Sequence, residues 1–316
     1  MSKGILLLSG GAKVALARIL NQSARKRGFD LHISDSILDV PTRLIADRFI
    51  QLPSFESKAW IQALGDYISE NEIKLLIPSR HSELGNLAAH REEIESTGAF
   101  LALSSRDAID TCLDKWKTYQ ILKKTEIPTP DTLTSKGFSP DPKKSYISKP
   151  RFGSASIGVR SVEGTSPPNA SETESLTQEI APGKEFTINA YVDHLGQVIS
   201  AIPHERLVTE SGEVVQAKTK RIPLLIETAE KVVSAIPGFY GPINIQVFYD
   251  EANNSCQITD INPRLGGGFP LAHQAKGEFI EWLCQENLDQ RELRPFDRWT
   301  DNLLMMRYRE ALFEIQ

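Results

Sequence analysis

The apolar residues of this chain follow two kinds of spacing, and the change falls near residue 110. Residues 5–8 form a continuous apolar run, which suits a strand buried on both faces. Ser9-Gly10-Gly11 interrupts it, and Val14, Leu16, Ala17, Ile19 and Leu20 then recur at helical spacing as far as Gly28. Residues 29–33 read as a strand again. A strand–helix–strand unit of this length predicts a parallel pair joined by a right-handed crossover. A second unit follows, with a helix over 55–70 carrying Trp60, Leu64 and Tyr67/Ile68 on one stripe. It continues with a strand at 74–77, a charged helix over 82–96 and a strand at 99–103. The alternation predicts an open α/β, Rossmann-like domain over residues 1–110.

From residue 111 the texture differs. A helix over 114–124 is closed by Ile127-Pro128-Thr129-Pro130, and short strands are expected at 146–149, 159–162, 186–192, 198–202, 244–249 and 257–261. Short alternating strands with helices between them predict an α+β, largely antiparallel region with one sheet face exposed. The stretches 135–145 and 164–175 are rich in turn formers and read as loops.

Composition narrows the choices. A chain of 316 residues exceeds one small core and predicts two or three packed subdomains. Its 36 basic and 41 acidic side chains, net −5, do not describe a protein that lives on nucleic acid or anionic lipid. No apolar run approaches the roughly 20 residues of a membrane span, and the start lacks a secretory pattern, so a cytoplasmic protein without membrane partners is expected. Cys112, Cys256 and Cys284 are widely spaced, which argues against a disulfide framework or zinc site.

Two constellations carry candidate chemistry. In the first, Lys149 at a strand end leads into Gly153, Ser154, Ser156 and Gly158. Small residues let the backbone approach a ligand and turn N–H groups toward an anion. Val159 and Arg160 stand where a Walker loop needs Lys and Ser/Thr, so this is a different phosphate grip, or else a glycine-turned hairpin with a solvated lysine. In the second, Asp260, Asn262 and Arg264 are spaced by two and precede Gly266-Gly267-Gly268, with Gln246 on the preceding strand. A strand would show these side chains on one face. The oxygen donors Gln246, Asp260 and Asn262 suit a hard cation, Mg²⁺ or Mn²⁺, and Arg264 suits phosphoryl charge; the bland alternative is a polar surface strand.

Taken together and in this order, the constellations resemble the ATP-grasp superfamily, in the branch of the carbamoyl phosphate synthase large subunit and related stand-alone ligases. The resemblance implies a pre-ATP-grasp domain over 1–110, a small lobe with a glycine lid over 111–176, and a large lobe with hinge and metal site over 177–316. It implies that Lys115 and Lys149 meet ATP phosphates beneath the 153–158 lid, that backbone at Glu179 and Ile180 reads adenine and that Glu185 reaches the ribose. It further implies metal ligation by Gln246, Asp260 and Asn262, and catalysis by Arg264, Lys149 and Asn262. Asp260 departs from the glutamate usual there, and its shorter arm bridges two metals less readily.

Other residues carry weaker signals. Ser9-Gly10-Gly11-Ala12 with Asp35 lacks the full dinucleotide pattern and reads as a structural turn, although the helix start it leads into suits an anionic substrate. Arg206 is a candidate phosphate or substrate contact. His204, His273, the run Lys218-Thr219-Lys220-Arg221 and Cys112 read at least as well as packed or solvated residues. The expected activity is ATP-dependent ligation of a small-molecule carboxylate to an amine through an acyl phosphate, with a homodimer left open. The rivals are bicarbonate or carbamate phosphorylation within a split enzyme, and a non-catalytic nucleotide sensor.

Overall fold

Strand β1, Gly4–Leu7, is buried at every position. Residues 3–134, 141, 143–154, 157–162 and 175–315 are described by the structure, a computed structural model. The predicted loops at 135–145 and 164–175 therefore fall mostly outside the described residues, as does Ser156. After β1 come α1 (Val14–Arg25), β2 (Asp30–Asp35), β3 (Arg48–Gln51), α2 (Trp60–Glu70), β4 (Ile73–Ile77), α3 (Leu84–Ala89), α4 (Arg91–Ser96) and β5 (Phe100–Leu101). The sheet order is β3-β2-β1-β4-β5 and every pairing is parallel. Ile5 and Leu7 pack with Leu16, Ala17 and Leu20 of α1, while Leu6 and Leu8 face Trp60, Leu64 and Ile68 of α2. Helices on both faces explain the unbroken apolar run.

Two expectations change in detail. The helix of the second unit begins only at Trp60. The charged segment after β4 is a short 3₁₀ turn, His81–Glu83, and then two helices that meet at His90, whose backbone (φ −112°, ψ 20°) leaves the helical range. Strand β3 lacks a sequence signal because it is a half-exposed edge.

Next come α5 (Arg106–Leu113), α6 (Lys115–Lys124), β6 (Thr132–Thr134), β7 (Tyr146–Pro150), β8 (Arg160–Val162) and β9 (Ser175–Glu179). These four strands form an antiparallel sheet in the order β6-β9-β7-β8. The chain continues through β10 (Lys184–Val192), β11 (Val198–Glu210), β12 (Glu213–Thr219), α7 (Pro223–Ala235), β13 (Gly241–Asp250), β14 (Ser255–Asn262), α8 (Phe269–Gln274), α9 (Phe279–Asn287) and β15 (Leu304–Met306). Their strands make a six-stranded antiparallel sheet, β14-β13-β10-β11-β12-β15. Ile188, Ile245, Val247 and Ile261 on its back face share a core with Ala108 and Cys112 of α5, Leu122 of α6 and Leu225, Ala229 and Val232 of α7. Residues 106–127 thus pack with the large lobe, and the boundary expected at 176 falls inside β9.

The N-terminal domain is fastened to the large lobe. Residues of α1 share a core with Phe269, Ala272, Phe279 and Leu283. Each such large apolar side chain contributes about 1.5–3 kcal/mol on burial. At the end of α1, Arg27 pairs with Glu281 and with Asp289, each at 2.7 Å. Among the described residues, no helix is long and apolar enough to cross a membrane.

Candidate active site

Strand alternation divides the six-stranded sheet. In β10, Phe186, Ile188 and Ala190 turn toward the helices, so Glu185, Thr187 and Asn189 must turn the other way. Register then lines up polar rows across the front: Asp260 opposite Gln246, Gln246 opposite Thr187 and Thr187 opposite His204. A parallel row runs from Asn262 through Asn244 to Asn189. One irregularity makes this work. The register shifts between Gln246 and Val247, which pair with Asp260 and Ile258, leaving Thr259 as an extra residue. The bulge re-phases β14, so Ile258 and Ile261 both reach the core although three positions apart. Arg264 lies beyond the strand end, but it borders the same cleft.

The cleft measures about 300 Å³ and lies between the two antiparallel sheets. Lys149 descends into it from β7 and is 7% exposed. Its ammonium donates to Gln178 Oε1 at 2.8 Å and to the carbonyl of the bulged Thr259 at 3.1 Å. Burial pulls its pKa down to about 8, opposed by Asp260 and reinforced by Lys115. Asp114 caps α6 by accepting from the amides of Trp116 and Lys117, and it pairs with Arg151 at 2.5 Å. That ties the start of α6 to the strand-loop junction, and Lys115 reaches the carbonyl of Gly153. Gly153 has φ +117°, a conformation that side chains disfavour.

At the other end of the cleft the glycine run permits close approach. A Cβ on Gly266 would lie 2.0 Å from Asn244 Nδ2, and one on Gly268 would lie 2.5 Å from His204 Cε1. Polar atoms here remain without partners. Asn262 Nδ2 donates to Asp260 Oδ2 at 2.9 Å, yet Asn262 Oδ1 is buried and accepts nothing. Arg264 donates to the Leu265 carbonyl through Nη1, while its buried Nε donates to nothing and burial lowers its pKa. A free amide oxygen beside a carboxylate fits a hard divalent cation. Among the described residues no cluster of three or more His, Cys, Asp or Glu offers a metal cage. Such an ion would take Asp260, Asn262 and Gln246 and complete its shell with ligand oxygens.

Of the residues singled out from sequence, Lys115, Lys149, Gly153, Ser154, Glu185, Arg206, Gln246, Asp260, Asn262 and Arg264 line this cleft together. Glu185 and Arg206 face each other at 3.4 Å, and burial raises the Glu185 pKa against the pull of Arg206. Others stand apart. Gly158 packs over Pro150 outside the lining, where a Cβ would lie 2.8 Å from Pro150 Cγ. Glu179 and Ile180 do not line the cleft, and their amides are engaged by the carbonyls of Asp131 and Ser145, each at 2.9 Å. His204 is 1% exposed and meets Asn189 at 3.1 Å. His273 borders neither this cleft nor the adjoining cavity. Lys220 pairs with Glu205 at 3.0 Å, and Arg221 stacks over Trp299 at 4.0 Å. Asp35 accepts from the Gly11 amide at 2.9 Å, which confirms the structural reading of that turn.

Several lining residues escaped the sequence reading. Thr187, Asn244 and Phe248 fall at two-residue steps from Glu185 and Gln246, so the strand period could have found them. His81 could not be found that way. It arrives from the N-terminal domain, 8% exposed, and stands beside Asn262 with neither ring nitrogen in hydrogen-bond geometry.

Comparison with known proteins agrees with this fold. Residues 112–268 match the ATP-grasp domain family, and residues 5–102 match the PylC-like, N-terminal domain family. Biotin carboxylase from Campylobacter jejuni, solved with β,γ-ATP, superposes with a TM-score of 0.75 at 16% identity over 96% of this chain and 74% of that one. The L-amino acid ligase of Bacillus licheniformis gives 0.70 at 17% identity, over 93% and 78%. The biotin carboxylase domain of 2-oxoglutarate carboxylase from Hydrogenobacter thermophilus, solved with MgADP, ADP and bicarbonate, gives 0.75 at 12% identity, over 96% and 73%. No curated protein sequence matches the chain.

Proposed function

From the match of residues 112–268 to the ATP-grasp domain family, we propose that the chain is an ATP-dependent carboxylate–amine ligase acting on small molecules in the cytoplasm. The observation that carries the reading is one cleft lined by Gln246, Asp260 and Asn262 of the polar sheet face, by Arg264 beyond the strand end and by Lys149, in which Asn262 Oδ1 and Arg264 Nε are without partners.

In this reading a carboxylate oxygen of the acid attacks the γ-phosphorus of ATP, and ADP leaves. An amine then attacks the acyl carbon, and phosphate leaves with loss of the amine's proton. The difficulty of the first step is bringing two anions together while charge spreads over the phosphoryl oxygens. Lys149 and Lys115 supply positive charge from the small-lobe side, and Arg264 supplies it from the large lobe. A Mg²⁺ or Mn²⁺ ion held by Asp260, Asn262 and Gln246 would neutralise phosphate charge as a Lewis acid. The half-buried Ile147 and Phe248 offer apolar surface for the base, and Glu185 stands within the cleft for the ribose. Screening from water by the glycine loop favours attack by the amine over hydrolysis. No side-chain nucleophile is required.

The test is ADP release with hydroxylamine trapping across amino acids and simple carboxylates. A hydroxamate identifies the activated acid, and ADP release that needs no carboxylate would remove the basis of the proposal. Because Asp260 is the only carboxylate among the three candidate ligands, the competing reading is a nucleotide-binding protein that holds its metal too weakly to turn over. Tight ATP binding without ADP release across the panel would favour it.

A further inference from the structure

Lys149 stands in a closed circuit of chain and hydrogen bonds that crosses between the two antiparallel sheets. The segment after α6 is fastened to β14, where the Ile258 amide donates to the Pro128 carbonyl at 2.9 Å and Thr129 Oγ1 donates to the Ile258 carbonyl at 2.9 Å. Further along, Thr132 Oγ1 donates to the Pro130 carbonyl at 3.0 Å and accepts from Gln178 Nε2 at 2.9 Å. Gln178 Oε1 accepts from Lys149 at 2.8 Å. The ammonium then closes the circuit at 3.1 Å on the carbonyl of Thr259, the residue after Ile258.

Strand register brings these side chains together. Thr132 on β6 lies opposite Gln178 on β9, and Gln178 lies opposite Ile147 on β7, two residues before Lys149. Cross-strand partners and residues two apart share a face, so Thr132, Gln178 and Lys149 stand side by side on the small sheet. They are 2%, 4% and 7% exposed, and at that burial a lost partner is not replaced by water without cost.

The direction of every bond in the relay is forced. A carbonyl only accepts, so Thr132 gives its single proton to Pro130 and offers Gln178 a lone pair. Only the NH₂ end of the carboxamide can meet that lone pair, and the amide oxygen is thereby turned to Lys149. An ammonium only donates, so this is the one orientation that serves it. The reversed amide would set donor against donor at Lys149 and bring its oxygen to a hydroxyl whose proton is already given.

We propose that Gln178 is a positioning residue for phosphoryl transfer, acting through Lys149, and that Thr132, which does not line the cleft, acts through Gln178. The Gln178 oxygen and the carbonyl of the bulged Thr259 together fix where the Lys149 charge lies relative to Asp260, the next residue of β14. The assignment rests on the ligase reading for the phosphate that Lys149 meets, but nucleotide binding tests it without turnover.

Calorimetry of the full chain with Mg²⁺ and a non-hydrolysable ATP analogue supplies the test. Gln178→Met, close in shape but without the amide oxygen, should weaken binding roughly tenfold, as expected for losing a hydrogen bond to a charged group. Thr132→Val should weaken it less, roughly threefold, and Thr132→Ser should restore it. The same two substitutions are then made in Lys149→Met. If they act through the lysine they cost nothing further there, whereas a merely structural role would repeat its loss. Undiminished losses in the Lys149→Met background overturn the assignment. So does wild-type affinity in both Gln178→Met and Thr132→Val, or failure of the wild type to bind the analogue. Binding with this coupling but no ADP release across the carboxylate panel leaves the positioning role standing and removes the ligase reading.

Discussion

Both faces of the six-stranded sheet hold residues hidden from water, yet they are finished in different ways. On the back, Ile188 and Ile245 are 0% exposed and packed by helices of the same chain. On the front, Thr187, Asn189 and Asn262 are 2–3% exposed, and the unpartnered Asn262 Oδ1 is among the atoms there. Burial alone does not separate core from site. The separation lies in whether the chain itself satisfies what it buries. An apolar face gains from burial without further help, whereas a polar face left unpaired costs free energy that a ligand recovers on binding.

The contrast can be broken from either side. Ile245→Ala should cost about 2–5 kcal/mol of stability, because it opens a cavity in the back face. Urea unfolding would show this, with turnover per folded molecule preserved. Arg264→Met should lower ADP release roughly 10²–10³-fold while leaving the unfolding midpoint unchanged or higher, since it removes a buried guanidinium whose Nε is unpaired. A fall in stability like that of the core variant would place Arg264 in the framework instead.

Smaller effects sharpen the comparison. Asp260→Asn should raise the Mg²⁺ concentration for half-maximal rate roughly tenfold or more, and Asp260→Glu should lower it by lengthening the carboxylate arm. An unchanged metal dependence in both would remove Asp260 from the ligand set. Last is acidity. Lys149 carries its proton below pH about 8 and loses it above. If phosphate binding needs the charged form, ATP affinity is level below that pH and falls by roughly tenfold per unit above it. Lys149→Arg should keep the affinity level through pH 9, and a wild-type profile without a break would count against the lysine.

Much of this was legible in sequence because it depends on periodicity. The run at 5–8, the stripe of α1 and the steps of two at Asp260 and Asn262 each led to the right element and face. What escaped depends on chain-distant geometry. The imperfect alternation of Ile258 and Ile261 resolves only when the partner strand shows Thr259 to be extra. Helices α5 and α6 carry no mark of which lobe they cover. His81 comes from the turn after β4, in another domain from the Asn262 beside which it stands, so no spacing along the chain announces it.

The way Lys149 is held has one more implication. An ammonium carries three N–H groups, and the two acceptors here, an amide oxygen and a backbone carbonyl, are both uncharged. Such acceptors aim the group without cancelling its charge. One donor stays available, and the arriving phosphate finds a cation already oriented, with little rotational freedom left to surrender.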